Sequence, residues 1–162
     1  MVTAEVPIIY TPRTAPLRLG IEPRLWAALV VLISAAVLSA ASYLPPSASG
    51  IGTHQDLGLA RCEFLARTHL PCPSCGMTTS FSFMAHGQPL ASFYVQPMGA
   101  VLAILTAAAF WVSLYIALTG RPVLRLLRLV PAHYYLLPLM FFAIAAWGWK
   151  IFIHTHGMDG WG

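Results

Sequence analysis

Charge is what this sequence has least of. Only 9% of its 162 residues are Asp, Glu, Lys or Arg, against about 25% in an ordinary soluble domain. With 58% hydrophobic residues, there is too little charge to cover a water-facing surface, so the composition is that of a membrane protein. Acidic residues number five and basic residues nine. The acids form no paired-carboxylate set of the kind acid–base catalysis uses. The nine cations are scattered, which excludes a nucleic-acid-binding patch; in a membrane protein such an excess sets topology and meets anionic lipid. Also missing are a glycine-rich phosphate loop, an internal repeat, a low-complexity tail and any charge within the membrane that would mark an ion path.

Long apolar runs are present. A bilayer core takes roughly 20 apolar residues per helix, and three stretches qualify. Residues 25–44 form the first, closed by Pro45 and Pro46. Residues 97–118 form the second, with Pro97 suited to a first helical position and Gly120 and Pro122 as a stop. Residues 134–153 form the third, with Tyr134, Tyr135, Trp147 and Trp149 where interfacial aromatic belts belong. Lys150 near its end is expected to snorkel to the interface. Ser39 and Ala41 offer a small-residue cleavage site. The first run nevertheless exceeds a signal-peptide core of about 7–15 residues, so a retained anchor is expected.

Sidedness follows the cations. Arg13, Arg18 and Arg24 lie in the tail 1–24, and Arg121, Arg125 and Arg128 in the loop 119–133. The connection 45–96 has only Arg61 and Arg67, and Lys150 lies towards the C-terminal tail 154–162. The expectation is a multi-pass protein with a cytoplasmic N-terminus and an extracytoplasmic loop 45–96. In "RPVLRLLRLVP" the arginines fall at i, i+4 and i+7, the pattern of a short surface helix beside an ordinary basic loop.

The connection 45–96 is too long for a turn and should carry structure or function. Leu57, Ala60, Phe64 and Leu65 predict a helix over residues 56–68 bearing Cys62. A second, starting near Met77 and ending before Gly87, is too short and polar to span. "PLASFYV" makes another brief turn. Thr78, Thr79, Ser80 and Ser82 lack a base to activate them, which leaves capping or helix contacts as their role. Between the helices lies "LPCPSCGM". The fold expected is an all-α membrane protein with three transmembrane helices and short interfacial helices between spans one and two.

The run Cys72-Pro73-Ser74-Cys75-Gly76-Met77-Thr78, followed by Gly87, Ala91 and Gln96-Pro97, resembles a family of small bacterial integral membrane proteins, domain of unknown function 2752. That family reads Cys-Pro-x-Cys-Gly-x-Thr-Arg, then a helix, a glycine and Asn-Pro at the next span. An upstream cysteine like Cys62 is common in it. The resemblance covers roughly residues 60 to 118 and implies a bacterial inner (cytoplasmic) membrane. Thr79 stands where the family often has Arg, and Gln96 where it often has Asn. The resemblance implies an architecture and a site, and no reaction.

Three readings of the cysteines stay open. A Cys-x-x-Cys turn followed by glycine suits a metal knuckle; zinc would then take Cys72, Cys75 and Cys62, with His69 as the fourth ligand and His54 and His86 in the same loop. Alternatively, Cys72 attacks and Cys75 partners it in thiol–disulfide exchange, with Cys62 as a resolving thiol. Finally, Cys62 staples the loop in a structural disulfide with either of the others. The expectation is a non-enzymatic membrane subunit with a metal-organised Cys/His loop. The alternatives are a membrane thiol–disulfide oxidoreductase, with the enzymatic question open, and an assembly or interaction subunit. Expected partners are the lipid bilayer and another membrane protein or a second copy. Glu63 is read as solvated, and His154 and His156 as a polar helix end.

Overall fold

The computed structural model describes residues 19–121, 123 and 131–161. Among these, the regular elements are all helical. They are α1 (Ile21–Tyr43), a 3₁₀ turn (Thr53–Leu57), α2 (Glu63–Thr68), α3 (Met77–Ala85), α4 (Pro89–Val95), α5 (Pro97–Thr119) and α6 (His133–Thr155). α1, α5 and α6 are each long and apolar enough to cross a bilayer. Their outward faces carry large apolar side chains such as Leu32, Trp111, Leu118 and Phe141, as lipid contact requires. Arg13, Arg18 and the basic-loop residues Arg125 and Arg128 lie outside the described residues, as does most of the surface-helix pattern.

α1 packs chiefly on α5. Its buried residues are Ala27, Ser34 and Ala41, and those of α5 include Ala100, Ala103 and Ser113. Lipid tails give apolar helices no hydrophobic reason to associate, so small residues that let backbones approach drive the contact. At one end, the Arg24 guanidinium donates to the Ala117 carbonyl (2.8 and 3.0 Å), placing a cation on the carbonyl-rich terminus of α5. The Leu19 N–H closes on the Gly120 carbonyl at 2.7 Å. α6 is buried only along its C-terminal half, through Ala146, Lys150 and Ile153.

The other end of the bundle holds the long connection. The expected helix over residues 56–68 is broken in two. Gly58 takes a left-handed backbone (φ 76°) and ends the 3₁₀ turn. Cys62, extended at φ −61° and ψ 111°, then sits at the N-cap of α2 rather than within a helix. "PLASFYV" is the short helix α4, with proline in its first turn.

Hydroxyl groups join these short helices. Ser80 Oγ lies 3.0 Å from the carbonyls of Ser92 and Gln96, and the Ser92 hydroxyl donates to the Ser80 carbonyl at 2.7 Å. The Ser82 hydroxyl donates to the Leu44 carbonyl at the end of α1. Buried hydroxyls thus satisfy one another across α1, α3, α4 and the start of α5. Gly99 makes the approach of α3 to α5 feasible, because a Cβ there would sit 2.8 Å from Ser80 Cβ and 3.3 Å from Met77 Cα. Gly99→Ala is therefore expected to lower stability by about 1–3 kcal/mol, the usual cost of overpacking, read as an earlier thermal transition in detergent. An unchanged transition would show that α3 and α5 are not in close contact.

Candidate metal centre

The turn bearing "CPSC" is built from local bonds and then gripped from three sides. The Cys75 N–H donates to the Cys72 carbonyl (3.0 Å) and the Met77 N–H to the Ser74 carbonyl (3.1 Å). Gly76 then adopts φ 84°, and a Cβ there would lie 2.9 Å from the Gly50 carbonyl oxygen and 3.3 Å from Lys150 Cε. Only glycine fits both the angle and the space. From α6, the Trp147 indole donates to the Pro71 carbonyl (2.9 Å). From the head of α5, the fully buried Gln96 donates through Nε2 to the Pro73 carbonyl (2.9 Å). From the 3₁₀ turn, Thr53 Oγ1 meets Thr79 Oγ1 of α3 at 2.8 Å, both residues being buried. Thr79 and Gln96 are thus both used in holding the loop.

The result is a cluster. The sulfurs of Cys62, Cys72 and Cys75 all lie within 4.8 Å of one another, and those of Cys72 and Cys75 are 3.1 Å apart. All three are free thiols. Cys75 is buried while Cys62 and Cys72 are half-buried. Of the histidines considered with them, His69 stands exposed at the C-cap of α2 with φ 56° and is not a member of the cluster. His86 donates through Nδ1 to the Ser82 carbonyl (2.8 Å) at the far end of α3. His54 borders a cavity of about 350 Å³ that Cys62, Cys75, Gly76, Gln55 and Arg61 also line. Glu63 pairs with Arg67 at 2.7 Å on the exposed face of α2.

The cluster is electrostatically uneven. Burial alone would raise the Cys72 thiol, but hydrogen bonds from Ser74, Cys75 and Cys62 outweigh it and bring the pKa down to about 7. Burial, aided by the bond to Cys72, pushes Cys75 up to about 12. The metal-free reduced protein is therefore expected to alkylate first at Cys72, at a rate that rises with pH and reaches half its plateau near pH 7. Mass spectrometry of protein pulse-labelled with iodoacetamide checks this. Equal labelling of Cys72 and Cys75 at neutral pH would contradict it.

A second polar group, not anticipated from the sequence, lies behind the turn. Lys150 does not snorkel. It is fully buried, and its Nζ lies 2.9 Å from Asp159 Oδ1 and 3.3 Å from the Gly50 carbonyl. The other carboxylate oxygen of Asp159 pairs with His154 Nδ1. The Tyr94 hydroxyl donates to the Met158 carbonyl (2.9 Å). The C-terminal residues are thereby folded back over the loop that carries the cysteines. An aspartate nine residues beyond a lysine leaves no periodic signal, which is why sequence reasoning missed the pair.

No curated protein and no solved structure matches the chain. The model of the family described as Protein of unknown function (DUF2752) matches residues 62–111, the segment that starts at Cys62, takes in the turn and runs into α5.

Proposed function

We propose that this is a non-enzymatic membrane subunit whose loop is organised by a divalent metal ion, zinc, held by Cys62, Cys72 and Cys75. One observation carries the reading, the gathering of three free sulfurs. Tetrahedral zinc with bonds of about 2.3 Å holds its thiolates about 3.8 Å apart. The observed separations, from 3.1 Å to at most 4.8 Å, bracket that value. Zinc favours thiolates as ligands, and by drawing the three together it would tie α2 to the head of α3. A histidine of the same loop, His69 or His54, supplies the fourth donor. On the distribution of cations, the loop faces the extracytoplasmic side of a bacterial inner membrane, with the N-terminus in the cytoplasm. The ordered surface so formed would receive another membrane protein or a second copy.

One arrangement favours thiol–disulfide exchange as a second reading: the sulfurs of Cys72 and the buried Cys75 lie 3.1 Å apart, with hydrogen bonds holding the Cys72 thiol down and burial pushing Cys75 up. In that chemistry Cys72 thiolate attacks a substrate disulfide and releases one substrate thiol. Cys75 then displaces the second, leaving a Cys72–Cys75 disulfide. Purification in mild detergent without reductant, followed by elemental analysis and thiol counting, separates the readings. One zinc per chain with three unoxidised thiols supports the metal centre. No metal, with a disulfide that glutathione buffers reduce and reform, supports exchange. No metal and an inert disulfide leaves a structural staple.

A further inference from the structure

We infer that His54, through Nδ1, is the fourth ligand of the three-cysteine centre, completing a tetrahedral site of three sulfurs and one nitrogen. The inference rests on the metal reading above and goes past it by naming the residue that closes the site. Structural zinc sites are four-coordinate, whereas an open position marks a catalytic one. The three thiolates leave one position to fill, and the cavity beside Cys62 and Cys75 is the space next to it. Cysteines apart, His54 is the one side chain lining that cavity with zinc-ligand chemistry. Arg61 has no lone pair to give, and Ser49 and Gln55 offer neutral oxygens, poor partners for a thiolate-bound zinc.

The hydrogen bonding of His54 points the same way. Its Nε2 lies 3.2 Å from the Ala60 carbonyl oxygen. A carbonyl only accepts, so Nε2 carries the proton and Nδ1 presents its lone pair. Metal-binding imidazoles are commonly oriented in this way, donating the second ring N–H to a carbonyl. The backbone is anchored as well. Thr53, the preceding residue, is tied to Thr79 of α3, the helix that begins directly after the cysteine turn. The 3₁₀ turn bearing His54 is bounded by Gly52 and Gly58, both left-handed. His54 is not among the donors already within 4.8 Å of one another, so ligation requires the cavity between its ring and the sulfurs to close while Nε2 keeps its bond to Ala60. A neutral imidazole adds no further negative charge to three thiolates. His69, by contrast, caps α2 on the exposed side and does not line this cavity.

Cobalt substitution tests the assignment in the full-length, detergent-solubilised protein. Cobalt(II) reports tetrahedral geometry through its visible d–d bands, and thiolate number through its charge-transfer intensity. Wild-type protein is expected to show tetrahedral bands with three-sulfur intensity. His54→Ala should weaken metal affinity by at least the tenfold to hundredfold, about, that outer-shell partners are worth. His54→Cys should restore affinity and raise the charge-transfer intensity in the ratio of four sulfurs to three, which a merely structural role for His54 would not do. His69→Ala should change neither. Wild-type binding that His54→Ala leaves intact, with no added sulfur intensity in His54→Cys, overturns the assignment and leaves the three-thiolate reading standing. A loss confined to His69→Ala overturns it in favour of His69. If wild-type protein with three reduced thiols takes up no cobalt, both the assignment and the metal reading fall.

Discussion

Cys72→Ser protein is expected to leave the membrane without zinc. Serine is no replacement for a thiolate, because its hydroxyl stays protonated at neutral pH and zinc bonds strongly to anionic sulfur. Two sulfurs then remain, one of them the buried Cys75 whose proton burial favours. The loss should exceed the roughly hundredfold drop that removal of an outer-shell partner produces, measured by competition with a chromophoric chelator. Cys75→Ser and Cys62→Ser should behave alike, because each removes one of three sulfurs that lie within 4.8 Å. The exchange reading predicts an asymmetric result. There Cys75→Ser would trap mixed disulfides on Cys72, visible as reductant-sensitive adducts, whereas Cys72→Ser would trap none. Equal zinc content in wild type and Cys72→Ser would contradict the metal centre.

The second large effect lies behind the turn. Lys150→Met removes one partner of a buried ion pair and leaves Asp159 largely desolvated. Such a loss costs about 3–5 kcal/mol. Asp159 keeps His154 and is 16% exposed, so the lower end applies, about 3 kcal/mol. For a chain of this size that corresponds to a fall of roughly 6–12 °C in the unfolding midpoint. Residues 156–161 should also become open to carboxypeptidase, because the pair holds them over the loop. Adding Asp159→Asn to Lys150→Met should recover part of the stability, since the stranded charge is then gone. A neutral single variant would show that the pair contributes nothing net.

What the sequence made legible was what local spacing carries. Three long apolar runs became three long helices. Met77 to Ala85 was readable as a short helix between glycines, and Cys72 and Cys75, with two residues between them, share a turn. The break at Gly58 also has a local signal, since glycine is the one residue that takes a left-handed backbone without strain. Contacts between distant parts of the chain were not legible. Trp147 reaches Pro71, Gln96 reaches Pro73 and Lys150 reaches Gly50, and no periodicity announces such pairs. Lys150 shows which effect prevailed. Near a helix end a lysine ordinarily extends to water, but here a returning carboxylate offers its ammonium a partner inside. Cys62 stands between these cases, because its distance in sequence suggested a third donor and only the fold could bring it near the other two.

The most direct measurement is zinc-edge X-ray absorption on protein extracted in mild detergent, with neither chelator nor added metal. The metal-centre account predicts stoichiometric zinc with three sulfur neighbours at about 2.3 Å and one nitrogen at about 2.0 Å. Protein without zinc, or zinc surrounded only by oxygen and nitrogen, would contradict it.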